Sequence, residues 1–224
     1  MAAREPRGLR GLYAITPETR DTRALVARAR QALAGGAALL QYRAKSVQAA
    51  LALEQARALA AECRAAGALF IVNDSVELAL ACGAHGVHLG RDDLAVAAAR
   101  TRFPSAIIGA SCYDEPARAA LARDAGADYV AVGSVFASAT KPSAVRAPLG
   151  AIGLARSAGG LPVAAIGGIT AANAALVVEA GADMVAVISA LVDADDVRAA
   201  AREFSRRFRL HEDSPDARAQ PRAV

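Results

Sequence analysis

The chain has 224 residues, 54% of them hydrophobic, 21% charged and 4% aromatic, with a formal net charge of +4. That length suits one domain with a single large core, and the scarcity of aromatics, with no tryptophan, argues against nucleic-acid binding by base stacking. No apolar run reaches the roughly 18 residues of a membrane helix, and the segment Met1 to Arg10 lacks the apolar stretch of a secretory signal.

Taken in chain order, strand-like apolar runs fall at 11–15, 37–42, 68–72, 84–89, 106–110, 128–133, 162–166 and 183–188, separated by alanine-rich helical stretches. This alternation predicts βα units and a parallel sheet. Eight units predict an α/β fold of the (β/α)8 barrel class, one domain spanning 11–208. Residues 1–10 read as a flexible N-terminal segment, and 209–224, which lack periodicity, as a disordered tail. Gly-Ala steps at 36, 83, 126 and 181 precede the even-numbered strands, as expected of helix ends that turn back into a sheet. The copies Ala125-Gly126-Ala127-Asp128 and Ala180-Gly181-Ala182-Asp183 are nearly identical; they read as fold punctuation, without chemistry of their own.

The opposite ends of the strands carry polar residues. In order they run into Thr16; Gln41, Arg43 and Lys45; Asn73 and Asp74; His88, Asp92 and Asp93; Ser111; Ser138, Thr140 and Lys141; Gly167 and Gly168; and Ser189. Barrel active sites form at this C-terminal face, so these positions read as one assembled site. Of 26 lysines and arginines, Lys45 and Lys141 are the only lysines, and both fall just past a strand. A lysine is a compact charge with three rotatable donors, where an arginine is a planar fork.

Gly167-Gly168-Ile169-Thr170 after the seventh strand and Ile188-Ser189-Ala190 after the eighth suit a phosphate site built from backbone N–H groups. Asp74 and Asp93 end neighbouring strands, and two carboxylates beside basic groups suit a magnesium ion that also holds phosphate oxygens. The competing reading makes Asp74 an N-cap for a helix from Val76, and Asp92 or Asp93 a cap for one from Leu94. Arg43, Lys45 and Lys141 together exceed what one monophosphate needs, which points to a diphosphate. Gln41, Arg43 and Lys45 alternate, so an extended segment would put them on one face. His88 reads as a hydrogen-bonded packing residue, with acid–base work as the alternative. Cys112 has no identifiable activating base. Cys63, Cys82 and Cys112 are odd in number and without a C-x-x-C pair, the pattern of reduced thiols in a cytoplasmic protein.

These motifs resemble the thiamine-phosphate synthase family from about Leu12 to Phe208. The resemblance rests on Gln41-Tyr42-Arg43-Ala44-Lys45, Ile71-Val72-Asn73-Asp74, Gly86-Val87-His88-Leu89-Gly90 with Asp93, Ile108-Gly109-Ala110-Ser111, Ser138-Ala139-Thr140-Lys141-Pro142, Ile166-Gly167-Gly168-Ile169-Thr170 and Val187-Ile188-Ser189-Ala190. It implies a transferase of thiamine biosynthesis that joins hydroxymethylpyrimidine diphosphate to hydroxyethylthiazole phosphate, releasing diphosphate. Gln41, Tyr42, Arg43, Ala44, Lys45, Asn73, Ser111 and Lys141 would hold the pyrimidine diphosphate, with Arg43, Lys45, Ser111 and Lys141 as the catalytic set. Ser138, Ala139, Thr140, Gly168, Ile188 and Ser189 would hold the thiazole phosphate, and Asp74 and Asp93 would bind Mg2+. The implied partners are the two phosphorylated substrates, with neither nucleic acid nor membrane; a homodimer is compatible. Arg91 and Ala139 depart from the family pattern at positions without an essential side chain. The rivals are the related thiazole tautomerase, which would not need the diphosphate and Mg2+ groups, and a non-catalytic phosphate-ligand-binding barrel.

Overall fold

The computed structural model describes residues 8–137 and 145–212. Eight parallel strands close into a barrel in chain order: β1 (Gly11–Ile15), β2 (Leu39–Tyr42), β3 (Leu69–Asn73), β4 (Gly86–Leu89), β5 (Ile107–Tyr113), β6 (Tyr129–Val132), β7 (Val163–Ile166) and β8 (Met184–Val187). Closure is made by β1 against β8, with Gly11 opposite Met184 and Ala14 opposite Val187. Around it run α1 (Thr22–Ala34), α2 (Ala49–Ala66), α3 (Val76–Cys82), α4 (Val96–Arg102), α5 (Arg118–Asp124), α6 (Gly150–Gly159), α7 (Ala174–Glu179), α8 (Ser189–Val192) and α9 (Val197–Glu212). The (β/α)8 barrel is therefore the observed fold.

Strand alternation divides the core into two layers. Leu12, Leu40, Phe70, Val87, Ile108, Val130, Val163 and Val185 point outward and bury against the helices. Each such large side chain, fully buried, contributes about 1.5–3 kcal/mol. The helices answer with small residues, among them Ala29, Ala56, Ala60, Ala79, Ala119 and Ala155, so their axes lie close to the sheet; this is what the alanine-rich composition achieves. Tyr13, Ile15, Leu39, Ile71, Tyr129, Ala131, Ala164, Met184 and Ala186 point inward and fill the barrel.

The repeated Ala-Gly-Ala-Asp segments have a structural explanation. Asp128 accepts from the Ile108 backbone N–H at 2.7 Å and from Arg100 at 2.6 Å. Asp183 repeats the arrangement with Val163 N–H at 2.9 Å and Arg156 at 2.6 Å. Each aspartate thus pins the start of a strand to the preceding helix, at the end of the barrel away from the polar loops. The three cysteines are free and buried, and burial pushes the Cys112 thiol up to about 11, so it is no nucleophile at neutral pH.

At the two ends of the expected domain the boundaries shift. Leu9, placed in a flexible segment from the sequence, is buried in the inner cluster beside Tyr13 and Met184. The last helix runs to Glu212, past the expected end at 208; it is anchored by Val197, Ala201, Phe204 and Phe208, which recur at helical spacing and are all buried. Residues 1–7 and 213–224 lie outside the described residues. Among the described residues no helix is long and apolar enough to cross a membrane.

Candidate active site

At the C-terminal mouth of the barrel lies a cavity of about 500 Å³. Of the residues singled out in the sequence, Gln41, Arg43, Asn73, His88, Ser111, Gly167, Gly168, Ile188 and Ser189 line it, so six of the strand ends do meet; Asp74 and Asp93 do not line it. Ser138, Ala139, Thr140 and Lys141 lie outside the described residues.

The segment after β2 is held by the loop after β1. Thr16 Oγ1 accepts from the Arg43 N–H at 3.1 Å, and the Glu18 carboxylate accepts from the N–H groups of Lys45 and Ser46 at 3.1 and 2.7 Å. Those backbone bonds hold the Glu18 carboxyl below its usual range. Lys45 does not line the cavity; its Nζ lies 3.2 Å from Asp74 Oδ2. Tyr42 departs from the expected grouping. Strand alternation turns its side chain outward, where its hydroxyl donates to Gln55 Oε1 at 2.7 Å. Ala44 likewise packs against the outer core, so neither side chain reaches the cavity.

Asp74 and Asp93 meet side by side. Burial, then the hydrogen bond and negative charge of Asp93, push the Asp74 carboxyl up, opposed by Lys45. Neither serves as a helix cap. Ser75 caps α3 by accepting from Leu78 N–H; α4 begins at Val96 without a side-chain cap; and Asp93 accepts from the Gly90 N–H at 2.6 Å. Asp74 also holds a positive φ of 67°, a conformation rare outside glycine and asparagine-like residues. Two adjacent acids repel unless a proton or cation lies between them. Among the described residues no group of three or more His, Cys, Asp or Glu could hold a metal. Two carboxylates suit Mg2+, which takes one or two from a protein and fills its shell with substrate phosphate and water.

On the far side of the mouth, Gly167 and Gly168 have φ of 107° and 60°. A Cβ on Gly168 would collide with the Ala137 carbonyl, so the chain passes too close for a side chain. Asn173 ties this turn together, accepting from Thr170 N–H at 2.8 Å and donating to Gly168 O at 3.1 Å. The result is a tight backbone cradle beside Ile188 and Ser189, which also line the cavity.

The floor is a hydrogen-bond chain. Gln41 Nε2 donates to Tyr13 OH at 2.8 Å, and Tyr13 OH meets Tyr129 OH at 2.8 Å. Tyr129 OH meets His88 Nδ1 at 3.0 Å, and His88 Nε2 meets Ser111 Oγ at 2.9 Å. Burial lowers His88 to about 4, so it is neutral at physiological pH, in keeping with a hydrogen-bonded packing role. Tyr13, Tyr129 and Glu18 were not singled out in the sequence. For the tyrosines the available signal was a hydroxyl inside an apolar strand, which must find a partner once buried; Glu18 offered none.

A family model described as thiamine monophosphate synthase matches residues 12–191. The chain is 56% identical over 201 residues to the thiamine-phosphate synthase of Aromatoleum aromaticum, covering 89% of this chain and 97% of that one. It is 59% identical over 203 residues to the thiamine-phosphate synthase of Chromobacterium violaceum, covering 89% and 97%. Among solved structures, a thiamine phosphate pyrophosphorylase from Pyrococcus furiosus superposes with a TM-score of 0.83 at 37% identity, covering 91% of this chain and 98% of that one. The described strand ends with their paired acids, the glycine cradle and these relatives agree: the chain belongs to the thiamine monophosphate synthase family.

Proposed function

We propose that this protein is a thiamine-phosphate synthase, a transferase joining hydroxymethylpyrimidine diphosphate to hydroxyethylthiazole phosphate with release of diphosphate. The observation that carries the reading is one cavity lined on one side by Arg43 and Asn73, next to which Asp74 meets Lys45 and Asp93, and on the other by the Gly167-Gly168 cradle. Two phosphorylated ends need two such sides.

In this reading Gln41, Asn73 and Ser111 orient the pyrimidine, and Arg43, Lys45 and Lys141 hold the diphosphate. Asp74 and Asp93 would hold Mg2+, which when bound neutralises charge on the diphosphate oxygens. As the C–O bond lengthens, Arg43, Lys45 and Lys141 stabilise the negative charge building on the leaving group. Gly168, Ile188 and Ser189, with Ser138, Ala139 and Thr140, seat the thiazole phosphate so that the ring nitrogen faces the electron-poor methylene carbon. The new C–N bond forms there, and the electron pair of the broken bond leaves with the diphosphate. Catalysis is then electrostatic stabilisation and positioning, which accounts for a site whose histidine, His88, is neutral. We place the enzyme in the cytoplasm, acting as a monomer or a homodimer on two free small molecules.

The test is to mix the purified protein with both phosphorylated halves and Mg2+ and to measure thiamine phosphate and diphosphate. Equal amounts of both products support the reading. Folded protein that makes neither, or that isomerises the thiazole without consuming the diphosphate, refutes it.

A further inference from the structure

The four bonds from Gln41 through Tyr13, Tyr129 and His88 to Ser111 cross the barrel, joining β2 and β1 to β6, β4 and β5. The residues in contact across the middle are 116 positions apart in sequence. The interior is built around them: Tyr13 and Tyr129 are 1% and 0% exposed, and the His88 and Tyr129 rings stack with centroids 5.5 Å apart. Gly109 makes room for the pair, since a Cβ there would collide with the Tyr129 ring.

Proton counting gives this chain a direction. Each tyrosine hydroxyl has one proton, and a neutral imidazole has one N–H. Gln41 Nε2 donates to Tyr13. With Gln41 donating to it, Tyr13 keeps an acceptor in this chain for its own O–H only by donating to Tyr129, and Tyr129 only by donating to His88 Nδ1. Nδ1 is therefore the acceptor, His88 carries its proton on Nε2, and Ser111 Oγ accepts it. The Ser111 O–H is left to donate into the cavity, while Gln41 Oε1 remains an acceptor.

We propose that Tyr13, Tyr129 and His88 are positioning residues that fix Ser111 as a hydrogen-bond donor and Gln41 as an acceptor toward the substrate heterocycle. The two ends would then recognise a ring that presents an acceptor nitrogen to one and an amino donor to the other, as an aminopyrimidine does. This rests on the proposed function only in taking the pyrimidine as the ring bound between Gln41 and Ser111. A ring with the opposite donor and acceptor pattern would leave buried polar groups unpaired at both ends.

Two measurements on the full chain test this. In the first, 15N NMR of histidine-labelled, ligand-free protein, with His88→Gln used to assign the signal, should show His88 protonated on Nε2 with Nδ1 accepting a hydrogen bond. A proton on Nδ1 would overturn the proposal, and this result needs no substrate. In the second, Tyr129→Phe and Tyr13→Phe keep the rings and break the chain. Each should lower kcat/KM for the pyrimidine diphosphate about five- to tenfold, with KM for the thiazole phosphate within about twofold of wild type. Equal losses for both substrates, or no loss in folded variants, would reduce the chain to packing and overturn the proposal. Wild-type protein without turnover would instead sink the site assignment, leaving the NMR result to decide the chain's direction.

Discussion

Gly168→Ala isolates the backbone cradle. The glycine has φ of 60°, and an added Cβ would meet the Ala137 carbonyl oxygen and stand 2.9 Å from the carbonyl carbons of Phe136 and Ala137. All three neighbours are backbone, so no side-chain rotation relieves the collision. The 136–137 segment or the Gly167–Thr170 turn must retreat by about 1 Å to reach ordinary contact, and misplacement on that scale costs up to about 100-fold in rate. Gly67 is the control: its φ is 67°, yet nothing lies within 4 Å of an added Cβ. Gly67→Ala therefore carries the left-handed strain alone, about 1–2 kcal/mol. Steady-state kinetics with each substrate varied, together with urea denaturation, separate the two. We expect Gly168→Ala to raise KM for the thiazole phosphate about 10- to 100-fold, and Gly67→Ala to lower stability with wild-type kinetics. If Gly168→Ala keeps wild-type kinetics, or Gly67→Ala loses activity to the same degree, the cradle does not act as described.

Two further predictions concern stability. His88 sits at about 4 in the fold against 6.5 unperturbed, so between these values the unfolded chain binds more protons. Its contribution is complete above about pH 6.5 and declines toward pH 4 by roughly 3 kcal/mol; urea titrations across that range should slope less steeply in His88→Gln, and an unchanged slope would contradict the assignment. Asp183→Ala leaves the buried Val163 N–H and Arg156 without their carboxylate, which should cost about 2 kcal/mol and lower Tm while kcat and KM stay unchanged.

The strands were legible because each is a short apolar run, and the Gly-Ala steps marked where four of them begin. Their ends were less so. The fifth strand was expected at 106–110 but runs from Ile107 to Tyr113, since Ser111 and Tyr113 stay paired with β6 across a register shift, and polar residues there hide the continuation. Leu9 looked like tail because a single apolar residue has no periodicity. On the site, a polar residue closing an apolar run is a local pattern, which is why Gln41, Arg43, Asn73 and Ser111 could be placed before their meeting was visible. Tyr42 came with them through the family motif Gln41 to Lys45, and period-two alternation sends it to the opposite face. The Tyr13–Tyr129 contact depends on barrel closure, which no local pattern contains.

The most direct measurement of the central claim is the Mg2+ dependence of product formation by the wild-type protein and by Asp93→Asn, following thiamine phosphate and diphosphate together. The account predicts one diphosphate per thiamine phosphate, saturable activation by Mg2+, loss of both products with EDTA, and a demand for more Mg2+ in Asp93→Asn. Product formation that persists in EDTA, or an unchanged Mg2+ requirement in the variant, would contradict it.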